Sequence, residues 1–219
     1  KILSAFAKKD ADILIGTQMI VKGHDFPDVT LVGVLAADLS LSAGDYRAAE
    51  RTFQLLTQAV GRAGRGKTPG EAVIQTYRPD HYAVLHATNQ DYESFYKEEI
   101  AYRKVCGYPP VMHMLALLFT SANEKRLGDI VKEAAAGLRK AAEEKGWRVI
   151  GPADAVVGKI NDVYRKMIYI RHEDYGQLVC AKDFTEALME EKKKEYGDCS
   201  VYFDFDPMNG YLDFVYIMI

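Results

Sequence analysis

Two short apolar runs open the chain, Asp12 to Ile15 (DILI) and Leu31 to Ala36 (LVGVLA), and both are continuous rather than alternating. A strand covered on both faces, as in a parallel sheet, needs apolar residues at every position, so both runs are predicted to be buried parallel strands. A Gly-rich loop separates them. From Tyr46 to Val60 the positions of Ala48, Ala49, Leu55, Leu56, Ala59 and Val60 suit a helix, with Ser42 or Asp45 as its N-cap and Gly61 just past its end. Glu71 to Tyr77 (EAVIQTY) is the next predicted strand. Strand, crossover, strand, helix, strand is the order of an α/β parallel sheet, here its later part, with earlier strands expected upstream. Residues 79–107 read as helical and amphipathic, and Tyr108-Pro109-Pro110 cannot continue a helix.

The second half has a different rhythm. Val111 to Thr120 (VMHMLALLFT) is strand-like, and Ser121 to Glu124 has the spacing of a capping box. Leu127, Ile130, Val131, Ala134, Leu138 and Ala141 then recur at helical spacing until Gly146. Arg148 to Ile160, interrupted at Gly151-Pro152, and Tyr164 to Arg171 are predicted to form a hairpin across Asn161-Asp162. A Lys-rich helix from about Asp174 to Tyr196 and an alternating strand at Val201, Phe203 and Phe205 complete β-α-β-β-α-β, which is ferredoxin-like. The expected organisation is therefore α/β, with part of a parallel-sheet lobe over 1–80, a helical linker over 81–107 and an α+β domain over 108–219.

Composition narrows the function classes. At 219 residues, 48% apolar and 27% charged, the chain is an ordinary folded protein with room for two modules, and no apolar run approaches the roughly 20 residues of a membrane span. A formal charge of −3 argues against a freestanding polybasic nucleic-acid binder, so any DNA contact must be local. Cys106, Cys180 and Cys199 are odd in number and never form CxxC, which predicts free thiols in a reducing cytoplasm. No signal peptide opens the chain at Lys1, and the early strand pattern predicts a piece of something longer. His81, His86, His113 and His172 are too scattered to suggest a metal.

The chemistry concentrates in Gly16 to Pro27, GTQMIVKGHDFP, and Gln58 to Arg65, QAVGRAGR. A loop bearing Thr and Gly at a strand's carboxyl end offers N–H groups and a hydroxyl to a phosphate, and two arginines three apart can clamp a γ-phosphate. In this order and on these elements the stretches resemble motifs V and VI of the superfamily 2 helicases. That resemblance implies nucleotide or DNA contacts from Gly16, Thr17, Gln18, Lys22, Gly23 and Asp25, with Gln58 and Gly61 in motif VI. It also implies an arginine finger at Arg65 with Arg62 beside it, a device worth on the order of 10³ to 10⁵ in rate in well-studied NTPases. Gly61 to Thr68, GRAGRGKT, satisfies the phosphate-loop pattern GxxxxGK[ST] as well. That pattern must follow a strand and open a helix, whereas here a helix precedes it and Thr68-Pro69-Gly70 leads into a strand, so Lys67 reads as a solvated loop lysine.

Asp38, then Asp45 to Arg51 (DYRAAER) ahead of QAVGRAGR, resembles the corresponding stretch of the PriA family of primosomal replication-restart helicases. The double proline, Gly151 to Ala155 with Tyr164-Arg165, and Phe203 to Pro207 are similar to that family's S10-like C-terminal domain, and the similarity ends before Leu212 to Ile219. The resemblance implies a bacterial, cytoplasmic, 3′ to 5′ ATP-dependent DNA helicase that recognises stalled forks and D-loops and restarts replication by promoting primosome assembly. It implies ATP and Mg²⁺ as cofactors and zinc in the whole protein. Its implied partners are DNA, the single-strand-binding protein's C-terminal tail, and primosome and helicase-loading proteins. The Walker A lysine, DExH acids and zinc cysteines of such proteins have no counterpart in these residues, so the chain alone is expected to be inactive. Lys159, Arg165, Lys166 and Arg171, with Tyr164, form a basic hairpin patch suited to DNA or a partner, although a solvated strand face has the same alternation. A RecG-like translocase would share motifs V and VI, and a noncatalytic adaptor could reuse such a lobe.

Overall fold

Ala48–Val60 folds as a 13-residue helix (α3) because Ala48, Thr52, Phe53, Leu55, Leu56 and Ala59 fall on one buried stripe. The computed structural model describes residues 1–17, 26–42, 45–64 and 68–208. Ahead of α3 come a short helix Ile2–Ala7 (α1), a strand Leu31–Val34 (β1) and a single helical turn Asp38–Leu41 (α2). After it come a strand Glu71–Ile74 (β2), then helices Tyr82–Thr88 (α4) and Tyr92–Cys106 (α5). These two helices fill the segment over 79–107 that is predicted to be helical. The imidazole of His81 caps the first by accepting from Ala83 N–H at 3.2 Å.

β1 and β2 pair in parallel, Leu31 opposite Glu71 through Val34 opposite Ile74. Val34, Phe53, Leu56, Ala83, Val84 and Phe95 form the core beneath them, and the Phe53 and Phe95 rings stack at 4.2 Å. One expectation fails here. Asp12 to Ile15 is not a strand, and Ile13 and Ile15 are 78% and 76% exposed. An apolar run becomes a strand only where neighbours supply ladder partners and cover both faces, and among the described residues none does so for this run.

The second unit is built on the strand His113–Ser121 (β3), whose Leu115, Leu117 and Phe119 are completely buried. The helix Glu124–Lys145 (α6) lays Leu127, Ile130, Val131, Ala134 and Leu138 against them. At about 1.5–3 kcal/mol for each buried large apolar side chain, this face far outweighs helix propensity in holding α6. The N-cap is Asn123, whose Oδ1 accepts from Arg126 N–H, and not Ser121 as the capping-box spacing suggested. Ser121 is the last residue of β3, and its hydroxyl donates to Asp198 at 3.0 Å. Gly146 ends the helix at φ 72°.

Strands Arg148–Ile160 (β4) and Val163–His172 (β5) form the predicted hairpin, with Asn161 and Asp162 both at positive φ as a two-residue type I′ turn requires. Helices Tyr175–Glu191 (α7) and Lys193–Tyr196 (α8) and a final strand Ser200–Phe205 (β6) follow. The sheet order is β4-β5-β3-β6 with every pairing antiparallel, so β4 and β6 are edges and the central strands come from the two halves of the repeat. This is the split β-α-β arrangement of the ferredoxin-like class. Contacts divide the chain into two compact units, Lys1–Glu99 and one from Ile100 onward, so the division lies within α5.

Candidate functional site

The segment that follows α3 is held in place by its backbone. Gly61 N–H donates to Thr57 O and Arg62 N–H to Ala59 O, each at 3.0 Å, which winds the last turn of the helix directly into the loop. Gly64 N–H then donates to Val29 O at 3.0 Å, and Glu71 N–H to Thr30 O at 2.8 Å. The motif VI loop is therefore stitched to the residues that leave motif V. Gly64 sits at φ 71°, and a Cβ there would lie 2.5 Å from Gly70 N, so two backbone segments pass where no side chain fits.

Arg62 is half-buried in this loop, Gly61 closes α3 and Gln58 is exposed on the helix's last turn. Gly16 and Thr17 are half-buried at the entry to motif V. Gln18, Lys22, Gly23 and Asp25, together with Arg65 and Lys67, lie outside the described residues.

The amino end of α3 carries the DYRAAER block, in which Arg47 and Glu50 meet at i, i+3 while Asp45 and Arg51, six apart, follow no helical spacing. Asp45 accepts Arg47 N–H at 2.8 Å and pairs with Arg51 at 2.6 Å. The Arg47 guanidinium donates twice to Glu50, from Nε at 3.1 Å and from Nη2 at 2.5 Å. Two interlaced ion pairs thus brace the start of the helix whose far end presents Arg62. Thr52 Oγ1 lies 2.7 Å from Ser40 Oγ and 2.8 Å from Ala48 O, and Ser40 Oγ donates to Ala37 O, joining α3 to α2 through buried hydroxyls. Asp38, at the head of α2, accepts from Thr76 Oγ1 at 2.7 Å and from Tyr77 N–H at 2.8 Å. The Thr76 hydrogen bond, aided by the Tyr77 amide, holds the Asp38 carboxyl below the usual carboxylate range.

The basic residues of the β4–β5 hairpin are not one patch. Alternation along β5 puts Tyr164 and Lys166 on the same face as the core residues Ile168 and Ile170, and Arg165 and Arg171 on the other. Lys159 pairs with Asp162 at 3.0 Å and lies 4.7 Å from the centre of the Tyr164 ring. Lys166 pairs with Asp154 at 2.5 Å. Arg171 donates to Cys106 O at 2.8 Å and stacks over Tyr108 at 4.1 Å. Three of the four cations therefore already have partners within the unit. Of the scattered histidines, His86 meets Glu98 at 2.9 Å, His113 meets Asp206 at 2.8 Å, and His172 accepts from Asp174 N–H. No described helix is long and apolar enough to cross a membrane.

A parallel α/β unit carrying a motif VI loop stitched to motif V, followed by a ferredoxin-like unit, places the chain in the class of helicase-type proteins. The helicase conserved C-terminal domain family matches residues 1–67, and the primosomal protein N C-terminal domain family matches residues 104–208. The chain is 43% identical over 212 residues to the replication restart protein PriA of Bacillus subtilis, covering 97% of this chain and 26% of that protein. It is 37% identical to the Synechocystis protein of the same name over 94% of this chain and 24% of the relative, and 38% identical to that of Chlamydia trachomatis over 96% and 27%. The chain belongs to the PriA family of replication restart proteins. It spans about a quarter of the length of these relatives.

Proposed function

We propose that this chain supplies part of the second motor lobe and the C-terminal domain of an ATP-dependent 3′ to 5′ DNA helicase that recognises stalled forks and D-loops and promotes primosome assembly. The observation that carries the reading is the Gly64 to Val29 hydrogen bond, which fixes the arginine-bearing loop against the exit of motif V. A loop so held can offer Arg62 to a phosphate without reorganising, which is how a preorganised cation stabilises charge that develops during phosphoryl transfer, and Arg65 directly follows the held Gly64 in sequence. ATP and Mg²⁺ are the proposed cofactors of the whole motor, with these two guanidinium groups as this chain's contribution. By itself the chain is inactive in ATP hydrolysis under this reading. DNA, the tail of single-strand-binding protein and the primosome proteins are the proposed partners, and the bacterial cytoplasm the proposed location.

Steady-state kinetics on the whole protein test this. Arg65→Ala is expected to keep nucleotide binding and to lower DNA-stimulated kcat by about a thousandfold or more, since the finger acts on the transition state. Lys67→Ala is the control and is expected to leave both intact. Near-normal turnover by Arg65→Ala rejects the finger, and loss of nucleotide binding by Lys67→Ala would restore the phosphate-loop reading of GRAGRGKT.

A further inference from the structure

The two-stranded sheet has two ends, and the arginine-bearing loop uses only one of them. Gly64 is bonded to Val29, at the amino end of β1, whereas Tyr77 and Arg78 follow the carboxyl end of β2, which runs parallel to it. At that opposite edge Tyr77 is 91% exposed, yet its backbone is held: Asp38 takes its N–H and the Thr76 hydroxyl, and Thr76 Oγ1 accepts Arg78 N–H at 3.0 Å. Gln75 N–H donates to Val34 O and Ala37 N–H to Gln75 O, knitting the ends of β1 and β2 into one shelf. Leu35 and Leu39 stand exposed on the β1 side of it. The Arg78 side chain is exposed and, among the described residues, makes no ion pair, while Asp38 is engaged in hydrogen bonds.

Each feature points the same way. A bare ring on a fixed backbone costs little ordering entropy when something stacks on it. An aromatic side chain next to an unpaired cation matches the alternation of base and phosphate along a single strand. We propose that Tyr77 and Arg78 form a contact site for single-stranded DNA, the ring stacking on a base and the guanidinium pairing with an adjacent phosphate. The site rests on the DNA-motor reading above and adds a separation of tasks to it, with nucleotide addressed at one edge of the sheet and DNA at the other.

Titrating labelled oligothymidine with the 219-residue chain by fluorescence anisotropy tests the site. Tyr77→Ala is expected to weaken binding roughly tenfold and Tyr77→Phe by about twofold or less, because stacking needs the ring and not the hydroxyl. Arg78→Ala is expected to weaken binding and to reduce the slope of log affinity against log salt by about 0.7, one single-strand phosphate contact. Photocrosslinking with a 5-iododeoxyuridine oligonucleotide should place the adduct on Tyr77. Affinity of Tyr77→Ala equal to that of the unmodified chain overturns the site, as does absence of binding by the unmodified chain. A large fall in melting temperature for Tyr77→Ala overturns it too, since the ring would then be a packing element. If the site fails while Arg65→Ala still abolishes hydrolysis in the whole protein, the motor reading stands without it.

Discussion

The carboxylate of Asp45, 1% exposed, meets the guanidinium of Arg51, 33% exposed, at 2.6 Å across the start of α3. A pair with one member buried and the other a third exposed lies between two regimes. Exposed pairs contribute about 0–1 kcal/mol, whereas removing one partner of a fully buried pair costs about 3–5 kcal/mol. Asp45→Ala also removes the acceptor of Arg47 N–H, so a loss of about 1–3 kcal/mol in the unfolding of the first unit is expected, read from the denaturant midpoint. Arg51→Ala, which leaves a buried carboxylate without this partner, should cost at least as much. A midpoint unchanged in both variants would show that the block does not brace the helix.

Gly64 and Gly70 make a backbone-to-backbone contact that an added methyl group destroys. Gly64→Ala places a Cβ 2.5 Å from Gly70 N in a left-handed conformation, and Gly70→Ala places one 2.1 Å from Gly64 N. The left-handed backbone alone costs about 1–2 kcal/mol for a non-glycine residue, and the contact adds to it. Gly33 in β1 has open space around its Cβ position, so Gly33→Ala is the control and should be neutral or stabilising by up to about 1 kcal/mol. In the whole protein, Gly64→Ala is further expected to slow DNA-stimulated hydrolysis, because Gly64 also donates the hydrogen bond that ties the end of motif VI to Val29. Equal stability of Gly64→Ala and Gly33→Ala would refute the close approach.

Asp38 gives the first unit an acid-sensitive component with a defined sign. Its folded carboxyl is held below the ordinary range by the Thr76 hydroxyl, so the unfolded state binds protons more readily. The stabilisation is therefore complete above the ordinary aspartate value of about 3.9 and is lost as pH falls through the lower folded value. Thermal melts of the unmodified chain and of Asp38→Asn should differ at neutral pH and converge in strong acid. A gap that widens on acidification would contradict the assignment. Thr76→Val is expected to reproduce the neutral-pH loss while raising the Asp38 pKa toward its ordinary value, which carboxyl NMR can follow.

Much of the ferredoxin-like unit was legible because its signals are local. The period of Leu127, Ile130, Val131, Ala134 and Leu138 predicts α6, and Asn161-Asp162 predicts the turn whose positive φ values the structure shows. What was not legible depends on residues far apart in sequence. Thr76 and Asp38 are 38 residues apart and Ser121 and Asp198 are 77 apart, and no periodicity announces either hydrogen bond. The Ser121 bond shows how a correct motif can yield the wrong cap: the hydroxyl that fits a capping box ends a strand, and Asn123 takes the cap instead. Motif VI could be placed on the end of a helix from its spacing. The pairing of Asp45 with Arg51 could not, because their separation of six crosses the boundary between loop and helix, where the i, i+4 rule does not apply.

The boundary between the two units provides the last test. The double proline marks a break at Tyr108, but contacts that anchor the second unit lie before it. Arg103, 7% exposed, donates from Nη1 to Pro109 O at 2.9 Å, and its carbonyl accepts Tyr108 N–H at 2.9 Å. Arg171 donates to Cys106 O, so a piece beginning at Tyr108 would leave both the Pro109 carbonyl and the Arg171 guanidinium without these partners. Hydrogen bonds to charged groups contribute about 1.5–3 kcal/mol when buried, and the partial exposure of Arg171 reduces the sum to about 2–3 kcal/mol. In a domain of about a hundred residues, each kcal/mol shifts the melting temperature by roughly 4–8 °C. The polypeptide from Ile100 to the carboxyl end is therefore expected to melt cooperatively and at least about 8 °C above the polypeptide from Tyr108. Differential scanning calorimetry of the two decides it: coincident melting would return the boundary to the prolines, and loss of cooperativity in the longer piece would show that the final turns of α5 belong with the first unit.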